Sequence, residues 1–177
     1  MKRSRPRRRT TFLTILTLLL GTLSMLGTAA PAHAASTCNG STVSGKFTPG
    51  IDALDMDNQA FEVAVTSAVC TTSNPDITSA RMEGHGSGPF SCTTGEIKGK
   101  GTIFWNDGSS NGLNSTVEWT LTNVTGGNLI QGTVKSGEFK GEKFRVEAVG
   151  GSNPTECTKP NGLKSFAATG SMQTTPA

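Results

Sequence analysis

The chain has 177 residues, 22 glycines, no tyrosine and two histidines, and its formal charge of +3 comes from the first 34 residues. That segment holds six Lys/Arg and no acid, so the remainder carries ten Lys/Arg against thirteen Asp/Glu, near −3. A basic surface for nucleic acid or anionic lipid is therefore not indicated, and His85 as the one histidine beyond residue 34 leaves little for acid–base catalysis.

The N-terminus reads as an export signal. Six basic residues within 2–9 precede an apolar run from Phe12 to Leu26, and Ala32-His33-Ala34 supplies small residues before a cleavage site after Ala34. The run is shorter than the roughly 20 residues of a membrane-spanning helix. Arg8-Arg9 resembles a twin-arginine signal, although Thr11 stands where a hydrophobe is preferred. Residues 35–177 are then a single secreted domain, with no membrane attachment after cleavage.

Beyond the signal, apolar residues alternate with polar ones at period two, the habit of antiparallel sheets with one wet face. Phe61, Val63, Val65 and Val69 are the large apolar residues of one segment; Phe144, Val146 and Ala148 belong to a second; Phe166, Ala168, Gly170 and Met172 share a face in a third. Turn signals such as Thr48-Pro49-Gly50, Ser73-Asn74-Pro75 and Pro160-Asn161-Gly162 separate about eight strands, near 42–47, 60–69, 77–86, 96–105, 115–123, 129–136, 143–149 and 164–172. The fold class is all-β: an antiparallel up-and-down barrel or a sandwich.

Cys38, Cys70, Cys92 and Cys157 are an even set without zinc-site spacing, which reads as two disulfides in an oxidising compartment. Three connectivities are possible. In an up-and-down order, Cys38 and Cys70 fall at one end of the sheet and Cys92 and Cys157 at the other. The need for close Cα atoms thus favours Cys38–Cys70 and Cys92–Cys157.

Two stretches could carry a ligand. The acidic segment at 52–58 places Asp52, Asp55 and Asp57 within six residues, an oxygen-rich set that calcium could use. An EF-hand loop starting at Asp55, however, would need Gly and Glu where Ala60 and Thr66 stand. The second stretch, 105–119, holds both tryptophans. Trp105 with Asn106 and Asp107 could form a stacking platform for a sugar, the rim groups bonding its hydroxyls. The competing reading is that Trp105 and Trp119 pack in the core, since aromatic rings bury large surface. Core-facing placement of both tryptophans requires an odd-length loop centred on Ser109 or Ser110, and sets Gly99 and Gly101 opposite or beside Trp119 and Val117.

Catalytic and phosphate-binding motifs are missing. Gly86-Ser87-Gly88 lacks the G-x-S-x-G spacing of a nucleophile elbow, and G-x-x-x-x-G-K-[ST] does not occur. His85 reads as a wet-face strand residue.

Cys38, Pro49-Gly50-Ile51, Cys70 with 74–80, the segment 84–92, and above all Gly99-Lys100-Gly101-Thr102-Ile103-Phe104-Trp105-Asn106-Asp107-Gly108 follow a plan that resembles small secreted four-cysteine proteins of actinobacteria. The resemblance spans about residues 36–172. It implies an extracellular β-domain and no particular activity. The expectation is therefore a monomeric, non-catalytic domain without a cofactor, recognising an extracellular ligand or surface glycan. A barrel carrying a small apolar ligand in its bore is the alternative, and a secreted hydrolase the next.

Overall fold

The computed structural model describes residues 36–53, 56–106, 113–124, 127–150 and 154–177; the expected signal and its cleavage site lie outside them. Nine antiparallel strands follow in chain order: β1 (Ser36–Ile51), β2 (Asn58–Ser67), β3 (Val69–Thr72), β4 (Ala80–Pro89), β5 (Glu96–Trp105), β6 (Asn114–Val124), β7 (Gly127–Gly137), β8 (Lys143–Val149) and β9 (Leu163–Thr175). A 3₁₀ turn, Pro154–Thr158, precedes β9. β2 pairs with β4, each strand from β4 to β8 pairs with its successor, and β1 pairs with β9, β2 and β3, so the sheet closes into a barrel.

β3 is the continuation of β2 past a break at Ala68. Thr42 of β1 faces Thr66 and Cys38 faces Cys70, which is the same register on both sides of the break. The barrel needs that extra length. Facing partners in the ladder lead from Phe61 through Gly86, Gly99, Trp119, Gly132, Phe144, Thr174 and Ser36 to Thr72, eleven residues beyond Phe61 on the first stave. Such stagger obliges strongly tilted strands.

At the break both partners skip a beat: Asn39 and Gly40 on β1, like Ala68 and Val69 opposite them, all face outward. Val69, expected on the inner face with Phe61, Val63 and Val65, is accordingly 67% exposed, and Cys70 points inward in its place. Thr48-Pro49-Gly50, expected as a turn, lies inside β1 with a cis Thr48–Pro49 bond. It marks a shift in the pairing of β1 with β9, between Lys46 and Ile51. The side chain of buried Gln59 accepts the Gly50 N–H at 3.2 Å and holds the kink.

Inside, large rings meet glycines. Phe47, Phe61, Phe90 and Phe166 cluster, with Phe47 and Phe61 centroids 4.7 Å apart and Trp119 set edge-on to Phe61 at 6.0 Å. Gly84 and Gly86 of β4 pair directly with Gly101 and Gly99 of β5. This four-glycine block makes room for the indole of Trp119: a Cβ on Gly99 would fall 2.2 Å from its Cζ2. Gly45 likewise admits Phe166. The bore is therefore filled by side chains.

Disulfides Cys38–Cys70 and Cys92–Cys157 staple opposite ends of the barrel, the pairing that strand order favours. Among the described residues, no helix is long and apolar enough to cross a membrane.

Candidate functional site

Odd positions of β5 face inward, so Ile103 and Trp105 are buried. Trp105 is 1% exposed; its indole N–H donates to Ser115 Oγ at 3.0 Å and its ring meets the edge of Phe139 at 5.0 Å. The stacking-platform reading of Trp105 is thereby corrected: a ring whose faces and N–H are all used inside the protein has nothing to offer a sugar.

Asn106 is also committed. It leaves β5 with φ +54, a left-handed conformation that asparagine tolerates. Its Oδ1 accepts the backbone N–H groups of Thr78 at 2.8 Å and Ser79 at 3.2 Å, and its Nδ2 donates to the Asp76 carbonyl. The side chain is a clasp that holds the segment 76–79 against the barrel end. Asp107 lies outside the described residues.

Of the acidic segment, Asp52 and Asp57 are described and Asp55 is not. Both act through their backbones. The Asp52 carbonyl accepts the Cys92 N–H at 2.7 Å, and the Asp57 carbonyl accepts the Phe90 N–H at 3.1 Å. Together they fix the β4–β5 connection and its disulfide. No cluster of three metal-ligating side chains occurs among the described residues.

The outer wall holds what these segments do not. If odd residues of β5 face in, Phe104 faces out, and it is half-exposed with the Arg81 guanidinium 4.6 Å from its ring centroid. Phe104 borders an open groove of about 960 Å³ on the outside of β9, β1, β2, β4 and β5. Ser44, Ala64 and Ala167, neighbours in one cross-strand row, contribute small side chains to it. Lys46, Glu62 and His85 form the next row along. His85 is exposed and its side chain makes no hydrogen bond to other described residues, as expected of a wet-face position.

This groove does not stand alone. A second, of about 670 Å³, shares His85 with it and runs across β4 to β7; a third, of about 600 Å³, shares Gly132 and Thr133 with the second and reaches β9. The result is a furrow passing round the barrel. Inward glycines explain its depth, because Gly84 and Gly101 border the first section and Gly86, Gly99 and Gly132 the second. Where the wall lacks inward side chains it can settle onto Trp119, and the outer surface dents accordingly.

Charge is uneven along the furrow. Glu118, on β6, is held by Lys135 at 3.0 Å and Lys100 at 3.6 Å. The hydrogen bond and positive charge of Lys135, aided by Lys100, draw its carboxyl below the ordinary glutamate range.

No protein-family model matches this chain, and neither the curated proteins nor the solved structures contain a significant match.

Proposed function

We propose that the protein is a secreted, non-catalytic binding domain that recognises an extended extracellular ligand, a glycan chain, along its outer furrow. The observation that carries this reading is the combination of a filled bore with a continuous external groove, bordered by hydroxyls, charges and the half-exposed Phe104. A sugar has an apolar face and a hydroxylated rim, and Phe104 among Ser44, Thr102 and Ser165 matches both.

Several features support the setting. Two disulfides suit an oxidising exterior, and residues 1–34 have the pattern of an export signal. The charged row Lys46, Glu62, His85, Lys100 and Glu118 suits a wall facing water, the reverse of a lipid-facing barrel. Closure of the staves leaves little edge for pairing with a second copy, in keeping with a monomer. The packed rings of Phe47, Phe61, Phe166 and Trp119 count against the carrier reading. His85, with no hydrogen-bonded group to orient it among the described residues, is poorly suited to act as a general base.

The test is a glycan-array screen of the oxidised protein beside its Phe104→Ala variant. Binding that is lost in the variant while the melting curve stays in place supports the furrow; binding that survives unchanged removes Phe104 from the site.

A further inference from the structure

The furrow changes sign at His85. Its first section is bordered by Glu62 and Glu83 against Lys46. The second and third sections are bordered by five cations, Lys98, Lys100, Lys135, Lys143 and Arg145, against the single carboxylate of Glu118. That carboxylate is already countered by two of the lysines. Lys98 and Arg145 have partners at the rim, Glu96 and Glu147, but all four side chains are at least half exposed. Exposed pairs of this kind are held weakly and yield to a competing anion. Lys143 has no ion-pair partner among the described residues. Thus, in a mature chain near −3 overall, positive charge is concentrated on one arc of the outer wall.

We infer that this arc binds an anionic polysaccharide, with the chain's carboxylate, sulfate or phosphate groups on Lys98, Lys100, Lys135, Lys143 and Arg145. The inference rests on the furrow being the binding site and names the class of glycan it takes. Two observations favour a polysaccharide over a nucleic acid. Hydroxyl and amide groups, Thr120, Gln131 and Thr133, stand between the cations and suit a polyol backbone. The aromatics bordering these sections, Trp119 and Phe144, are buried with their faces in the core, so no ring is offered for stacking a base. The cations lie on β5, β7 and β8, spread over several strand spacings of about 4.8 Å each, which suits a ligand with repeated anions rather than one small ion.

The experiment measures binding of the oxidised protein to polygalacturonate, dextran sulfate, neutral dextran and a single-stranded DNA of matched charge. Each is repeated with Phe104→Ala and with the double variant Lys143→Gln/Arg145→Gln. The expected result is binding to one or both anionic polysaccharides that weakens steeply from about 50 to about 200 mM salt. The double variant should bind at least about tenfold more weakly while melting with the parent protein. The polygalacturonate and dextran sulfate arms separate carboxylate from sulfate as the anion. Neutral dextran binding as tightly, with loss only in Phe104→Ala, would leave the furrow in place and overturn the anionic assignment. DNA binding as tight as the polysaccharide would overturn it in favour of a nucleic acid. Retention of full affinity by the double variant would move the site off this arc, and failure of all four probes would overturn both this inference and the furrow itself.

Discussion

Trp105 and Phe104 are neighbours in the chain and lie on opposite sides of one wall. The inner side of β5 runs Ile97, Gly99, Gly101, Ile103 and Trp105, and every large member of that set is buried. The outer side runs Glu96, Lys98, Lys100, Thr102 and Phe104, and none of these is buried. The inner face is constrained by volume, with rings and glycines alternating in a layer where each fits against the other. The outer face is constrained by solvent and offers groups that a ligand could use. Assigning a role to an aromatic on a strand therefore depends on parity before chemistry.

The contrast can be broken most forcefully at the inner face. Trp105→Ala removes a buried ring and its hydrogen bond to Ser115 Oγ, leaving that hydroxyl its bond to the Glu138 carbonyl; denaturant unfolding of the oxidised protein should show a loss of about 3–5 kcal/mol. Phe104→Ala, one residue away, should lose no more than about 1 kcal/mol, the scale of a partly exposed cation–π contact. Equal losses would erase the distinction between the faces.

Gly99→Ala comes next. Its Cβ would sit 2.2 Å from Trp119 Cζ2, so the ring or the wall must shift, and a loss of about 1–3 kcal/mol is expected. Combining it with Trp119→Leu should recover part of that loss in a double-mutant cycle, whereas strict additivity would mean the glycine is needed for another reason.

The smallest effect belongs to the outer face. Because the folded state lowers the pKa of Glu118, its contribution is present above the unfolded value of about 4.3 and is lost as pH falls through the folded value. The difference in melting temperature between the parent protein and Glu118→Gln should be small at neutral pH and vanish on acidification through the carboxylate range. High salt should shrink it too, since both lysine partners are exposed.

Much of the barrel was legible because alternation survives wherever the sheet is regular. The staves fall near the expected segments, and Gly99 faces Trp119 in the register of a loop centred on Ser109. Legibility fails where a tertiary contact overrides the local pattern. The strand expected at 77–86 begins instead at Ala80, because Asn106, distant in sequence, captures the backbone of 78 and 79. Val69 turns outward because two facing strands slip together, an event that neither strand records alone. The candidate site was harder still. Asn106 has the composition of a ligand-binding residue and spends it on a loop. The furrow is assembled from eight strands through the stagger of the barrel, and its basic arc is invisible in a net charge that sums to a negative value. Phe104 was within reach, since placing Trp105 inside sends its neighbour out.

The glycine block has an optical consequence. Gly86 and Gly99 carry no side chains, so a single layer of backbone separates the indole of Trp119 from the second section of the furrow, whose border they share. Trp105, at the end of the barrel beside Phe139, borders none of the three sections. Of the chain's two tryptophans, one thus lies against the furrow and the other away from it, so a ligand in the second section should perturb the emission of Trp119 and leave that of Trp105 unchanged.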